Sequence, residues 1–179
     1  MSKASTASDE LVVKITIIGD ITVGKTTLIN KYCNYNGNPV EIQRKHVVFQ
    51  KRKLQLVFPD SLGAEQFGTV TSFVYQNTAL CLLVYDVTNP ESFDNIANWD
   101  SEIGRYAPKR GAIPKALCGN KCELPAKVDE AKVAAFLESK PMPQFKTSAL
   151  SGQGVEEMFN ELLPLAIEEA IKQLKERNK

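Results

Sequence analysis

The sequence predicts an α/β fold: a six-stranded, mostly parallel sheet flanked by helices. Three observations carry this reading. The apolar, β-branched runs Leu11 to Ile18 and Ala79 to Asp86 have strand length and little alternation, as strands covered on both faces do. Other segments have helical spacing, such as Leu28, Ile29 and Tyr32, or Val155, Met158, Phe159 and Leu162. The two kinds of segment alternate along the chain, which is the pattern of parallel strands joined by crossover helices.

Residues 1–10 are small and polar and read as a disordered tail. The first strand, Leu11 to Ile18, ends at Gly19 and a turn, and a helix is expected from Lys25. Asn34 to Pro39 is rich in breakers and reads as a loop. Val40 to Phe58 alternates in two stretches around the basic turn Lys51-Arg52-Lys53, which predicts a hairpin; Pro59 closes its second strand. Ala79 to Asp86 is the next strand. Pro90 to Tyr106 reads as one helix, with Phe93, Ile96 and Ile103 on its apolar face. A short strand is expected at Ile113 to Cys118, and a helix capped by Asp129 follows to Glu138. Gln144 to Thr147 is the last strand. The closing helix continues through Ile167, Ala170, Ile171 and Leu174, with a kink expected at Pro164. No repeat and no second domain is visible. The folded unit is read as residues 11–175, with 176–179 a tail or shortened linker.

Composition narrows the function. The 179 residues suit one domain of ~100–200. Lys and Arg number 22 against 21 Asp and Glu, and a net charge of +1 argues against general attraction to nucleic acid. The basic runs Arg44-Lys45-His46 and Lys51-Arg52-Lys53 read as a solvated strand and turn. Met1 to Glu10 has no apolar core of a secretory signal, and Ala79 to Tyr85 is too short to span a bilayer. A cytoplasmic location with free thiols at Cys33, Cys81, Cys118 and Cys122 is therefore expected. Cys118 and Cys122 have no second Cys/His pair at zinc spacing.

The strongest chemical signal is Gly19-Asp20-Ile21-Thr22-Val23-Gly24-Lys25-Thr26. It matches G-x-x-x-x-G-K-[ST], and it follows a strand and opens a helix, as that loop requires. The glycines let successive N–H groups turn inward around phosphate oxygens. Lys25 supplies a point charge to the outer phosphates, the Thr26 hydroxyl suits magnesium, and the helix adds its positive end. Three further clusters follow predicted strands: Asp60-Ser61-Leu62-Gly63-Ala64-Glu65, Gly119-Asn120-Lys121-Cys122-Glu123 and Thr147-Ser148-Ala149-Leu150.

With these four regions in this order, residues 11 to 175 resemble the Ras superfamily of small GTPases. Val84-Tyr85-Asp86-Val87-Thr88, Glu91-Ser92-Phe93 and Trp99 resemble its Rab branch. The resemblance implies the P-loop NTPase G-domain fold, GTP or GDP with Mg2+, and effector and regulator partners such as exchange factors and activating proteins. It implies that Gly19 to Thr27 line the phosphates. Asp60 would orient magnesium together with Thr26, and Gly63 would contact a γ-phosphate. Asn120 would brace the loop and touch the base, the Lys121 stem would lie over the base, and the backbone of Ser148 and Ala149 would meet the guanine carbonyl oxygen. Vesicle traffic, at membranes reached through partners, is the setting it implies.

Five departures set the chain apart from that pattern. Ala64 stands where the family usually has the Gln that orients the attacking water. Ile21 replaces Gly or Ser, which crowds the γ-phosphate and an arginine finger worth ~10³–10⁵ in rate. Asp60 follows Lys25 by 35 positions, about six fewer than usual, and no Thr lies between Thr27 and Thr69 to sense the γ-phosphate. Glu123 replaces the Asp that accepts two guanine hydrogen bonds, and Leu150 replaces the Lys usual after Ser-Ala. Finally, Gln173 to Lys179 carries no prenylation cysteine, and Met1-Ser2 does not fit N-myristoylation, so no lipid anchor is expected in this chain unless a longer polypeptide supplies one. These features set two readings side by side. One is a switch that hydrolyses GTP slowly. The other is a pseudo-GTPase interaction module that holds nucleotide passively or not at all. A P-loop kinase or ATPase is disfavoured by the absence of a lid-like Arg cluster and by Gly119-Asn120-Lys121. His46 is read as non-catalytic, Trp99 and Tyr106 as helix-face packing, and Phe67, Val70, Phe73, Val74 and Tyr75 as a mixture of core and partner surface.

Overall fold

A computed structural model describes residues 10–37, 42–59, 72–106 and 112–178. Along the chain the elements are β1 (Leu11–Ile18), α1 (Lys25–Cys33), β2 (Ile42–Phe49), β3 (Arg52–Pro59), α2 (Ser72–Tyr75), β4 (Thr78–Asp86), α3 (Pro90–Asp94), α4 (Ile96–Tyr106), β5 (Lys115–Asn120), α5 (Glu130–Ser139), β6 (Gln144–Thr147) and α6 (Val155–Arg177). Among the described residues the six strands form one sheet in the order β2-β3-β1-β4-β5-β6. Only β2 and β3 pair antiparallel.

The sheet has a core on each face, and strand alternation assigns residues to them. From β4, Leu80, Leu82 and Val84 join α1 and α6 on one side. Cys81, Leu83 and Tyr85 join α3, α4 and α5 on the other. Every residue of β4 is buried, which accounts for its unbroken apolar run. Leu54, Leu56 and Phe58 point from β3 to the α1/α6 side, where Tyr32 stacks on Phe159 at 3.9 Å and Phe58 meets Phe159 edge-on at 5.6 Å. Each such buried side chain contributes ~1.5–3 kcal/mol relative to exposure.

Several boundaries differ from expectation. The hairpin turns at Gln50 and Lys51, with φ of 48° and 66°, and Arg52 already pairs with Phe49. A two-residue turn of positive φ matches the strand twist better than the longer basic turn read from sequence. The expected helix from Pro90 to Tyr106 is two helices, α3 and α4, divided at Asn95, whose N–H still bonds Glu91 O at 3.0 Å. β5 runs from Lys115 to Asn120 rather than from Ile113, because Pro114 has no N–H for the ladder; its carbonyl instead accepts from Cys81 N–H at 2.9 Å. Helix α6 continues from Val155 to Arg177 with Pro164, which is exposed, inside it. Glu10, assigned to the tail, is anchored: its Oε1 lies 2.8 Å from His46 Nδ1. Asp129 caps α5 as expected, accepting from Ala131 N–H at 2.9 Å. Tyr75 is buried and Val74 packs against the second core, whereas Phe67 and Val70 lie outside the described residues.

Asp100 ties α4 to the rest of the second layer. It is 5% exposed and pairs with both Lys115 on β5 and Lys140 at the end of α5. Burial alone would raise its carboxyl; the hydrogen bonds and charges of the two lysines outweigh burial and hold it below the ordinary carboxylate range. Asp100→Ala is expected to cost ~1–3 kcal/mol, less than an enclosed pair because the lysines can turn to water. The stabilisation is complete above the unfolded carboxyl value of ~3.9 and is lost as pH falls through the lower folded value. Urea unfolding of both proteins should therefore show a gap that is constant near neutrality and narrows below about pH 4. A gap independent of pH would remove the charge from the explanation.

Candidate functional site

The carboxyl ends of β1, β4, β5 and β6 lie along one edge of the sheet and deliver Gly19, Asp86, Asn120 and Thr147 to it. Crevices at this edge are the usual ligand sites of open α/β sheets. The loop from β1 to α1 forms one wall. Its curl depends on backbone that only certain residues tolerate. Gly24, the residue before α1, has φ 98°, and a Cβ there would come within 2.5 Å of Asn120 Nδ2. At Gly19 a Cβ would lie 2.1 Å from the Val84 carbonyl oxygen. Thr22 adopts the left-handed region at φ 69°, a strained conformation for a β-branched residue and one that occurs at functional loops.

Lys25, 8% exposed, curls back over the loop, donating to Gly19 O at 2.9 Å and Asp20 O at 2.6 Å. Its ammonium thus sits inside the ring of loop backbone. No side chain caps the start of α1, so the positive end of the helix faces the loop. Thr26 and Thr27 border a cavity of about 520 Å³ shared with Lys31, Tyr35, Ala149 and Leu150. An oxygen donor at Thr26 fits a hard cation such as magnesium. Asp60, the other expected metal residue, and Gly63 and Ala64 lie outside the described residues.

The loop residues divide by direction. The Val23 side chain is buried in the first core, while its carbonyl reaches Asn120 in the site. Ile21 is 55% exposed on the crest of the loop. The Asp20 carboxylate turns away from the loop interior: Asn95 Nδ2 donates to Oδ2 at 2.8 Å, and Trp99 Nε1 donates to Oδ1 at 2.7 Å. Trp99 therefore does more than pack, and the break at Asn95 frees an amide for this contact.

Asn120 joins the walls. Its Nδ2 donates to Val23 O at 2.8 Å, while Oδ1 accepts from Ala149 N–H at 3.0 Å and from the Thr147 hydroxyl at 3.2 Å. Lys121 follows at φ 67°, its ammonium 2.5 Å from Asp86 Oδ2. Ser148 is buried; its N–H donates to Gln153 O at 2.9 Å and its hydroxyl accepts from Ser151 N–H at 3.0 Å. The N–H groups of Ser148 and Ala149 are thus both engaged within the protein. Glu123 is exposed on the turn after β5, and Leu150 is 76% exposed with its carbonyl accepting from Lys31 Nζ at 3.3 Å. Among the described residues, the carboxylates of Asp20 and Asp86 are both held locally, Asp20 by neutral donors and Asp86 by Thr88 and Lys121.

Sequence reasoning named the loop and the Asn-Lys and Ser-Ala segments and missed four contributors. Asn95 and Trp99 lie 75 and 79 positions beyond Asp20. Lys31 crosses 119 positions to the Leu150 carbonyl. Tyr35 supplies the aromatic wall of the cavity, and its place in a breaker-rich loop was the one available signal.

The Ras family model matches residues 14–168. The Ras-related protein RabG2 of Dictyostelium discoideum is 34% identical over 161 residues, covering 85% of this chain and 81% of that protein. The GTP-binding protein YPT1 of Saccharomyces cerevisiae is 37% identical over 157 residues, 82% of this chain and 74% of its own. The Ras-related protein Rab-13 of Bos taurus is 32% identical over 176 residues, 93% and 86%.

Trp99 is the chain's single tryptophan, so its contact with the loop is directly observable. Asp20→Ala is expected to cost ~1–3 kcal/mol by leaving the indole and amide donors without their charged acceptor. It should also change the tryptophan emission of the folded protein. Unaltered emission would mean that the indole does not rest on the loop.

Proposed function

The chain belongs to the Ras family of small GTPases, and from that premise we propose that it binds GTP and GDP with magnesium, hydrolyses GTP slowly, and signals its state to effector proteins. The single observation that carries the reading is the Asn120 side chain, which ties the phosphate loop to the Ala149 segment while Lys25 stays inside the loop. Such an arrangement joins a phosphate seat to a base seat at fixed separation. Lys25 would neutralise outer-phosphate charge, and the loop N–H groups and the start of α1 would hold the remaining oxygens. The Lys121 stem would cover the base, and Glu123 would accept from its edge. Thr26 and Asp60 would hold magnesium, which when bound neutralises phosphate charge.

Slowness rests on chemistry that this chain lacks. Hydrolysis needs a water aligned behind the γ-phosphate. Gly63 would mark that position, and Ala64 has no amide with which to hold the water. Ile21, on the loop crest, takes the space an arginine finger would use. A cytoplasmic setting in vesicle traffic, peripheral to membranes through partner proteins, agrees with the Rab-named relatives. No helix among the described residues is long and apolar enough to cross a membrane.

One observation favours the pseudo-GTPase reading. The N–H groups of Ser148 and Ala149 already have acceptors inside the protein, so a guanine oxygen would have to share or displace them.

Denaturing the purified protein and identifying the released nucleotide by chromatography, followed by comparing its solution behaviour with GDP and with a non-hydrolysable GTP analogue, separates the two. Stoichiometric GDP or GTP together with behaviour that differs between the two nucleotides supports the switch, and identical behaviour supports the scaffold. An empty protein whose melting temperature does not respond to GTP and magnesium supports the scaffold. For the switch, Lys25→Ala is expected to weaken magnesium-dependent GTP binding by about a hundredfold or more, read by titration with a fluorescent analogue. Ala64→Gln alone is expected to raise single-turnover hydrolysis by less than about tenfold, because Ile21 and the missing switch threonine remain. A rise to ordinary small-GTPase turnover would make residue 64 the sole limitation.

A further inference from the structure

Asp86 has no task in the site as described, yet its placement is specific. It ends β4 and is 7% exposed. Its Oδ1 accepts from the Thr88 N–H at 2.8 Å and the Thr88 hydroxyl at 2.7 Å. Its Oδ2 lies 2.5 Å from Lys121 Nζ. One oxygen is thus committed to orienting the carboxylate and the other to the lysine. Burial alone would raise the Asp86 carboxyl; hydrogen bonds from Lys121 and Thr88, with the lysine charge, prevail and hold it below the ordinary range. Lys121 therefore faces a charged partner throughout the neutral range.

The pair is not needed to join its strands. β4 and β5 are already in register from Cys81 opposite Lys115 to Asp86 opposite Asn120, and Val87 N–H bonds Asn120 O at 3.0 Å. What the ion pair settles is the direction of a long side chain that would otherwise sample many rotamers. Lys121 leaves the end of β5 in the left-handed region, one residue after the asparagine that joins the two walls. Anchored at Asp86, its four-carbon stem is drawn out along the edge of the crevice before any ligand arrives.

We propose that Asp86, oriented by Thr88, is a positioning residue for the nucleotide: it holds the Lys121 ammonium so that the lysine stem forms a preformed apolar floor for the base. The proposal deepens the guanine-nucleotide reading above and rests on it. Its physical content is preorganisation, since ordering the lysine in advance spares the ligand that entropy on binding. Asp86 acts only through Lys121, so removing the lysine must also remove the effect of the aspartate.

A double-variant cycle on the full chain tests this. The readout is release of a fluorescent GDP analogue, in magnesium, chased by excess GDP. Asp86→Asn keeps the shape and an acceptor for Thr88 but loses the charge, and should speed release about tenfold. Lys121→Ala should speed release at least as much, and Asp86→Asn added to it should change nothing further. Thr88→Val, which loses only the hydroxyl, should speed release about threefold and serves if Asp86→Asn does not fold. Thermal unfolding establishes that each variant is folded. Unchanged release in folded Asp86→Asn, or in Thr88→Val where that variant stands in, overturns the proposal. So do effects that multiply in the double variant. If the wild-type chain retains the analogue, those results leave the nucleotide reading intact. A wild-type chain that binds none overturns both.

Discussion

Asn120 is 1% exposed and its side chain touches two separate segments at three points: the Val23 carbonyl of the phosphate loop, and the Thr147 hydroxyl and Ala149 N–H where the chain leaves β6. A buried amide has two donors and one acceptor oxygen to satisfy, and an unmet group costs ~1–3 kcal/mol. The two segments must therefore meet at Asn120 or the amide is stranded. This constraint sets the distance between the two walls of the crevice. It also explains why Gly24 must lack a side chain, since a Cβ would collide with Asn120 Nδ2 at 2.5 Å.

Around this joint the site is built from polar groups that hold one another. Asp20 is bound by Asn95 and Trp99, Asp86 by Thr88 and Lys121, and Ser148 by Gln153 and Ser151. Mutual anchoring of this kind fixes the walls of the crevice in advance, so little reorganisation remains when a ligand arrives. The Asp20 contacts have a second consequence. They attach the phosphate loop to α4, which Asp100 in turn fastens to β5 and the end of α5. The loop is thereby braced from the second core as well as from β1 and α1.

Among the described residues, the departures expected from the sequence lie outside this framework. Gly19, Gly24, Lys25 and Asn120 keep the residue types the loop geometry requires. Ile21 and Leu150 are exposed at the rim, and Glu123 sits on an exposed turn. A rim can change without loss of fold, whereas the buried joint cannot. The same contrast underlies the choice between a slow switch and a scaffold, because both need the framework and only the switch needs the reacting groups.

Short-range information was readable in the sequence. Burial on both faces of β4 left an unbroken apolar run, the Gly-Lys-Thr segment marked the passage from β1 into α1, and Asp129 announced its helix. These depend on residues within one element or one turn, where periodicity and backbone preference act directly. Only tertiary structure decided which strand ends lie side by side, and hence that Asp20 meets Trp99 across 79 positions and Asp86 meets Lys121. It likewise decided that His46 has an acid partner in Glu10 and that the apparent helix from Pro90 divides at Asn95. The physical reason is that a hydrogen bond or ion pair is specified by distance and direction in space. A linear pattern records what each residue can offer, and the packing of the sheet selects the partner that receives it.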